Sequence, residues 1–209
     1  MTKDMTITYE VGDSLYVNVT NRCTNRCSFC IRNNGDGAYG SDTLWLSREP
    51  MVDEIVDSVF SRDLSRYREI VFCGYGEPGL RIDDCRSAAI LIKKNTKLPI
   101  RINTNGHSSL YYGTDTSALY DVFDCVSISL NAPTEESYNA ICKPLKSGAY
   151  SAMMDFTVRV KQYVPDVILS VVKEFITEEE LLECHRIAND LGVVLKVRDY
   201  IAPDEDTEK

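Results

Sequence analysis

Residues 15–32 read LYVNVTNRCTNRCSFCIR, a strand that runs directly into a cysteine-rich loop. The first five residues are rich in strand-forming side chains, and Cys23, Cys27 and Cys30 follow within the loop. Three thiolates in so short a segment can converge on one iron–sulfur cluster, because soft sulfur ligands suit iron. A cluster of four irons would then keep one iron without a cysteine.

Two other interpretations of this loop stay open on the residues alone. A closed structural zinc site needs four ligands, usually in two close pairs, and no such pairs are visible. The other interpretation is three thiols without a ligand. The remaining cysteines are widely spaced, which predicts small buried residues rather than a second cluster. They are Cys73, Cys85, Cys125, Cys142 and Cys184.

Length and charge narrow the class of protein. The chain has 209 residues, which suits one domain over residues 1–209, with residues 1–13 as an N-terminal extension and 203–209 as a disordered tail. The formal charge of -9 argues against a general nucleic-acid-binding surface. Residues 1–10 are polar and no apolar run approaches the roughly 20 residues of a membrane span. We therefore expect a cytoplasmic protein with no membrane segment.

Strand and helix patterns alternate along the chain. Leu15–Val19 is the first strong strand, preceded by a short strand within 6–11 that pairs through Gly12-Asp13. Further strands are predicted over 70–73, 99–103, 125–130, 167–172 and 193–200. Helices are predicted over 48–64 with Ser47 as cap, and over 82–96, 115–122, 134–142, 150–163 and 177–191. The alternation predicts a parallel sheet, as a partial (β/α)6 barrel of the TIM type, with a doubly wound open sheet as the alternative.

Unusual motifs stand where predicted strands end. Gly74-Tyr75-Gly76-Glu77-Pro78 follows the second strong strand, residues 104–106 (Thr-Asn-Gly) follow the third, and 127–131 (Ser-Ile-Ser-Leu-Asn) close the fourth. In parallel α/β folds the reactive groups lie at this edge of the sheet. The two glycines let backbone approach a ligand closely, and their carbonyls with the Glu77 carboxylate can accept hydrogen bonds from an ammonium group. These motifs therefore predict one site together with the cysteine loop.

Strand parity indicates a polar interior. Side chains alternate between faces, so a polar set on one face opposes an aliphatic set on the other in four strands. Helices must cover the aliphatic face, which leaves the polar set in the barrel lumen. A polar lumen implies a ligand, because unsatisfied buried polar groups each cost about 1–3 kcal/mol. The polar set is Tyr16, Asn18, Thr20, Arg101, Asn103, Ser127, Ser129, Asn131, Lys196, Arg198 and Tyr200.

The cysteine spacing, with Phe29 just before the last cysteine, resembles the cluster motif of radical S-adenosylmethionine (SAM) enzymes. Gly-x-Gly-Glu-Pro likewise resembles that family's motif for the methionyl amino group, although Tyr75 stands where its commonest form has a glycine. The resemblance implies a [4Fe–4S] cluster on Cys23, Cys27 and Cys30. It also implies SAM contacts from Phe29, Gly74, Tyr75, Gly76, Glu77, Asn103, Thr104, Asn105, Ser127 and Ser129. Within strand three, the motif favours Thr104, whereas parity favours Asn103 and Asn105.

The same resemblance implies reductive cleavage of SAM to a 5′-deoxyadenosyl radical that abstracts hydrogen from a substrate. An external reductant of the flavodoxin or ferredoxin type would supply the electron. Alternatives are an activating enzyme for a glycyl-radical enzyme, and a non-catalytic cluster-binding or zinc-binding module. Three stretches are similar to small TatD-associated radical SAM proteins: residues 15–23, 142–144 and 197–200. The substrate is unknown, and Asn131, Glu174, Arg198 and Tyr200 are candidates to line its site.

Overall fold

A single curved sheet forms the centre of the protein. The computed structural model describes residues 5–201, and its seven strands lie in the order β1-β2-β3-β4-β5-β6-β7. The strands are β1 (Thr8–Val11), β2 (Ser14–Val17), β3 (Glu69–Phe72), β4 (Ile100–Thr104), β5 (Cys125–Ser129), β6 (Asp166–Val172) and β7 (Val194–Arg198). β1 pairs antiparallel with β2, and β2 to β7 run parallel.

This strand order confirms the partial barrel. In a doubly wound sheet the order reverses at a switch point, whereas here every strand pairs with its neighbour in the chain. The sheet is not closed, because β1 and β7 remain its two edges. The short hairpin predicted at Gly12 is present as β1 and β2, and Gly12 adopts a left-handed φ of 58° at its turn. The tail predicted for residues 203–209 lies outside the described residues.

Helices cover the outer face of the sheet. They are α1 (Val52–Phe60), α2 (Ile82–Lys93), α3 (Ser108–Tyr112), α4 (Glu135–Cys142), α5 (Ala149–Val160) and α6 (Glu178–Asp190). Their apolar sides pack on the aliphatic face that parity assigned outward, where Leu15, Ile102 and Ile128 are fully buried. Among residues 5–201, no helix is both long enough and apolar enough to span a membrane.

The prediction of a helix over 48–64 was wrong at both ends. α1 begins at Val52 and ends at Phe60, and Ser47 is exposed and does not cap it. A proline disfavours helical backbone in the residue before it, so Pro50 holds Glu49 outside the helix. The first turn is closed by Glu54, whose carboxylate accepts from the Met51 amide at 2.7 Å.

The helix predicted over 115–122 was also wrong. That segment holds only a 3-10 helix, Ser117–Tyr120, while the α-helical turns lie earlier, in α3. Gly113 ends α3 in a left-handed conformation with φ of 71°. α3 is short, and its pattern of two serines and two tyrosines carries no helical period, so the pattern does not predict a helix there.

Candidate functional site

The cysteine loop lies at the carboxyl end of β2 and is held by the end of α4. The Arg26 amide donates to the carbonyls of Cys142 and Lys143 at 3.0 and 3.2 Å, and the Ser28 amide donates to that of Ile141 at 2.9 Å. The last carbonyls of a helix have no partner within it, so the loop satisfies groups that α4 leaves free. Lys143, with φ of 46°, ends the helix in a left-handed conformation.

All three loop cysteines are half-buried free thiols. Burial and the nearby Glu77 carboxylate raise the pKa of Cys23 to about 12. The pKa of Cys27 is raised as well, first by a hydrogen bond with the Cys142 thiol and then by burial. Both groups are therefore protonated in the metal-free protein, and a bound metal must displace their protons.

A buried polar network supports the loop from beneath. Asn105 Nδ2 donates to Thr24 Oγ1 at 2.8 Å, and Thr24 Oγ1 lies 3.1 Å from His107 Nδ1. On the other side of the ring, His107 Nε2 lies 3.0 Å from Tyr138 Oη, which accepts from Asn25 Nδ2 at 3.1 Å. Burial lowers the pKa of His107 to about 4, so the ring is neutral. The network ties the loop to β4, α3 and α4.

The Glu77 carboxylate joins the ends of β3 and β4. Its Oε1 accepts from Gly79 N at 2.7 Å and from Thr104 Oγ1 at 2.6 Å, and its Oε2 accepts from Asn105 N at 2.7 Å. Burial raises its pKa, and these three hydrogen bonds oppose that rise. Three of its roughly four acceptor positions are thus already used by protein donors.

The two glycines before Glu77 are required by packing within the chain. A Cβ on Gly76 would lie 2.2 Å from the Thr20 carbonyl oxygen, and one on Gly74 would lie 2.1 Å from Asn18 Oδ1. The Glu77 amide also donates to the Arg22 carbonyl at 2.7 Å. The glycine-rich turn therefore packs directly against the backbone that leads into the cysteines.

Tyr75 points away from this contact. Its ring is buried among Tyr9, Ala38 and Leu44, and its hydroxyl lies 2.8 Å from the carbonyl oxygens of both Gly35 and Gly37. The side chain that departs from the commonest family motif thus anchors the loop after the cysteines.

The three candidates on β4 have different surroundings. Thr104 is buried and donates to Glu77, and Asn105 is buried with its amide at Thr24. Asn103 is half-buried, and its Oδ1 accepts from Arg101 Nη1 at 2.5 Å on the lumen side. Parity predicted that Asn103 and Asn105 face the lumen. Asn103 does so, whereas Asn105 lies just beyond the end of β4 and turns toward Thr24 in the cysteine loop.

Charged groups occupy the lumen itself. Arg101 is 8% exposed and binds Glu69 through two hydrogen bonds of 3.0 and 2.6 Å. Arg198, which reaches in from β7, donates from Nη2 to Ser127 Oγ at 2.9 Å. Ser129 is half-buried one step nearer the cysteine loop along the same face of β5. The polar interior predicted from parity is therefore present.

Aromatic residues close the mouth of the barrel. The Phe29 ring lies 5.0 Å from that of Phe175, which lies 5.3 Å from that of Tyr200, measured between centroids. Asn34 Nδ2 donates to the Ile201 carbonyl at 2.7 Å. Loops after β2 and β7, at opposite edges of the parallel strands, thus meet above the lumen.

Two of the residues proposed to line the substrate site form hydrogen bonds within the chain. Glu174 is exposed, and its carboxylate accepts from the Tyr200 amide at 2.8 Å. Asn131 is buried with a left-handed φ of 60°, and its Nδ2 donates to Cys142 Sγ at 3.3 Å. Asn131 therefore backs the end of α4 that holds the cysteine loop.

Sequence reasoning did not identify the support network. Thr24 and Asn25 lie between two of the cysteines, but the cysteine spacing assigns them no role, and His107 and Tyr138 stand outside the recognised motifs. Their partners lie more than eighty positions away in several cases, as with Thr24 and His107 at a separation of 83. Tyr39 was also missed, although its left-handed φ of 55° beside the lumen is unusual for a tyrosine.

The residues fit an iron–sulfur cluster and a polar ligand. Among residues 5–201, no three His, Cys, Asp or Glu side chains lie close enough to hold a single metal ion. A four-iron cluster places one thiolate on each ligated iron, so its ligands stand apart.

Three buried polar atoms have no partner in the described part of the chain: Asn18 Oδ1, Asn25 Oδ1 and Arg198 Nε. Such atoms are rare in native proteins, and these lie around the loop, the turn and the lumen.

Comparisons with known proteins agree with this geometry. The profile described as the Radical SAM superfamily matches residues 17–197. No curated protein matches the chain. The solved structure of TYW1 with a lysine-pyruvate adduct bound has a TM-score of 0.63 and 13% identity, over 91% of this chain and 65% of that one.

Two other solved structures are similar. Methylornithine synthase (PylB) has a TM-score of 0.64 and 14% identity, over 90% of this chain and 53% of that one. Native anSMEcpe with bound AdoMet, which is SAM, has a TM-score of 0.58 and 16% identity, over 93% and 53%. At these identities the likeness shows the fold, and the chain spans between 53% and 65% of the length of the three proteins.

Proposed function

The chain belongs to the radical SAM superfamily, and on that premise we propose that Cys23, Cys27 and Cys30 bind the [4Fe–4S] cluster that this family of enzymes uses with SAM. In this family the fourth iron would take the amino and carboxylate groups of SAM. With one electron from an external reductant, the bound pair would supply methionine and a 5′-deoxyadenosyl radical for hydrogen abstraction from the substrate. The protein's part is to bind, to orient and to exclude water.

We expect the backbone carbonyls of Gly74 to Gly76 to accept hydrogen bonds from the amino group of SAM. The Glu77 carboxylate holds this turn in shape through Gly79, Thr104 and Asn105. We assign the remaining polar contacts of SAM to Asn103 and Ser129, whose side chains are half-buried at the lumen. Phe29 shields the cluster side of the mouth through its contact with Phe175.

The observation that carries the proposal is the direct contact between the glycine-rich turn and the cysteine loop. Glu77 N donates to Arg22 O at 2.7 Å, and only glycine fits at position 76 against Thr20. The contacting residues are more than fifty positions apart in sequence, yet their backbones pack directly together. A ligand bound to an iron at the loop therefore meets the turn without rearrangement.

Anaerobic reconstitution tests the proposal. Wild-type protein is expected to bind four irons, to change its cluster spectrum when SAM is added, and to form 5′-deoxyadenosine after reduction with dithionite. Cys27→Ala should lose the cluster and the product, whereas Cys184→Ala, at a buried cysteine in α6, should keep both. Zinc without iron, or a cluster whose spectrum ignores SAM, would contradict the proposal.

The surface over the cluster favours an acidic electron carrier. Arg26, Lys143 and Lys146 are exposed around Leu145, which is 55% exposed, although the whole chain has a formal charge of -9. Arg22 lies beside them, and its guanidinium is paired with Glu49 at 2.7 Å. This basic rim is continuous, because the Arg26 amide bonds to Lys143 O, and Arg22 and Lys146 both contact Tyr111. We propose that a reductant of the flavodoxin or ferredoxin type docks there.

Charge reversal at the rim tests this docking site. The double variant Arg26→Glu with Lys143→Glu is expected to slow cluster reduction by reduced flavodoxin about tenfold or more at low ionic strength. Reduction by dithionite should not change. The control variant, Lys94→Glu with Lys97→Glu, carries the same charge change at exposed positions after α2. Equal rates for both double variants would exclude the rim as the docking site.

A narrower assignment rests on motifs alone. We propose that the chain is one of the small TatD-associated radical SAM proteins, because residues 15–23, 142–144 and 197–200 resemble theirs. Cys142 and Lys143 use their carbonyls to hold the cysteine loop, which gives the second stretch a structural reason. A conserved neighbouring gene for a TatD-type hydrolase supports the assignment, and a consistently different neighbour contradicts it.

A further inference from the structure

The lumen has more positive than negative charge. The Glu69 carboxylate is matched by Arg101, which binds it through two nitrogens. Lys196 and Arg198 then remain on the same face of β7 without a carboxylate contact in residues 5–201. Partial burial lowers the pKa of Lys196, and the nearby guanidinium groups of Arg198 and Arg101 lower it further, against the opposing effect of the Glu69 carboxylate. These cations therefore lie within electrostatic range of one another.

Arg198 has a buried hydrogen-bond donor without a partner. Its Nη2 donates to the Ser127 hydroxyl at 2.9 Å, but its Nε is buried and has no partner among the described residues. Arg101 shows the contrast, since its guanidinium binds both oxygens of Glu69 and also Asn103. Arg198 is half-buried, and a guanidinium with a buried, unpartnered Nε and one neutral partner is poorly compensated. A planar fork of N–H groups matches a carboxylate or phosphate.

The cofactors would not supply all of the missing negative charge. An oxidised four-iron cluster with three thiolates would carry one net negative charge. SAM bound to iron through its amino nitrogen and its carboxylate would be neutral, because the amine has lost a proton and the sulfonium balances the carboxylate. The oxidised pair would therefore supply one negative charge, which leaves one of the two cations, Lys196 and Arg198, without a counter-charge.

We propose that the substrate carries an oxyanion group, a carboxylate or a phosphate, that binds Arg198 with Lys196 beside it. The inference rests on the proposed function, because it treats the lumen as the substrate site. Arg198 lies near Cys73, at the start of the glycine-rich turn, and near Tyr16 and Tyr39, whose pKa values it influences. The anionic group would thus be held inside the lumen between Ser127 and Cys73, close to the start of the turn.

Anion titration of the reconstituted, SAM-loaded protein tests the proposal. Inorganic phosphate and succinate are added at constant ionic strength, and anaerobic thermal unfolding reports binding. SAM occupies the open iron, so an added anion cannot bind there. At least one anion should raise the Tm of the wild type saturably. Arg198→Gln should raise the half-saturating concentration about tenfold or more, and Arg198→Lys should recover part of the loss.

Arg86→Gln is the matched control. Arg86 forms a similar two-nitrogen contact, with Asp121, on the exposed side of α2 at 3.0 and 3.1 Å. Its titration curve should equal that of the wild type. Should Arg198→Gln fail to fold, Lys196→Gln changes an exposed side chain and should weaken anion binding in the same direction.

Three results would overturn the proposal. They are the absence of saturable stabilisation by either anion, equal titrations of wild type and Arg198→Gln, and an Arg198→Gln variant that binds SAM tenfold more weakly. The last would assign Arg198 to the SAM carboxylate. A wild type that binds neither iron nor SAM would contradict the proposed function instead, and the anion titration is then made on the apoprotein.

Discussion

Individual residues determine how firmly the cysteine loop is supported, and His107 is central to this. Its two ring nitrogens contact Thr24 and Tyr138, which belong to the loop and to α4 respectively. The ring is 1% exposed. A charged imidazolium in this position would lose its solvation, so burial favours a neutral histidine beneath the loop.

This predicts a pH dependence of stability. The folded-state pKa of His107 is about 4 against 6.5 for the free side chain. The unfolded chain therefore binds more protons between these values, and the free energy of unfolding should fall from pH 6.5 toward pH 4 by up to about 3 kcal/mol. Urea unfolding of the apoprotein across this range measures the slope, and His107→Gln should reduce it.

His185→Gln is the control for that measurement. It removes the only other histidine of the chain, which is exposed on α6. Its slope should match the wild type. A slope that survives in His107→Gln would mean that other groups cause the acid sensitivity.

At the level of elements, the ends of β2 and β3 act as one unit. The turn after β3 packs against the backbone after β2, so the cysteine loop and the turn cannot move separately. The contact is between backbone atoms, which cannot rotate out of the way as a side chain can. A small change in the backbone of the turn should therefore displace the cysteine loop.

Gly76→Ala tests this coupling. Its Cβ would lie 2.2 Å from the Thr20 oxygen, and overpacking of this kind costs about 1–3 kcal/mol. We expect the variant to bind less iron on reconstitution and to bind SAM at least about tenfold more weakly. Gly12→Ala is the comparison, because it strains a left-handed turn but meets no atom within 4 Å. Loss of SAM binding in both variants would point to general instability instead.

The sequence predicted elements where the pattern was strong. The strands were found because each carries aliphatic residues for the outer face, and α6 was found because Thr177 and Glu180 form a capping box. α3 was missed, since it has little more than one turn and no apolar period. The start of α1 was misplaced because Ser47 offered a cap that Pro50 prevents the helix from reaching.

The candidate site was predictable only as a set of motifs. The cysteines and the glycine-rich turn were found from spacing, and the polar lumen was found from parity. The partner of each polar side chain was not predictable, because Thr104 and Asn105 bind groups 27 and 81 positions away in the sequence. Tertiary hydrogen bonds of this kind leave no periodic signal.

At the scale of the whole molecule, the barrel is open along one side but bridged at its mouth. β2 and β7 stand at opposite edges of the parallel strands, yet Phe29, Phe175 and Tyr200 stack across the gap. Aromatic pairs of this type contribute about 0.5–1.5 kcal/mol each. The bridge therefore limits access from above to the cysteine loop.

Phe175→Ala should weaken that barrier. It removes the central ring of the stack, so oxygen should reach the cluster more readily. We expect the iron–sulfur absorbance to decay several-fold faster in air than in the wild type, with a modest fall in Tm. Phe60→Ala, at a ring 37% exposed on α1, is the matched change outside the mouth. Equal decay rates in both variants would show that the stack does not protect the cluster.

The support that α4 gives to the cysteine loop has a consequence for biosynthesis. Asn25 and Ser28 contact residues 113 positions later in the chain. When the cysteines leave the ribosome, the helix that shapes their loop has not yet been translated. The nascent thiols are thus unsupported until Lys143 has emerged and α4 has formed. Iron delivered before that point would encounter a flexible peptide, and iron delivered afterwards would encounter a cysteine loop already held in shape by α4.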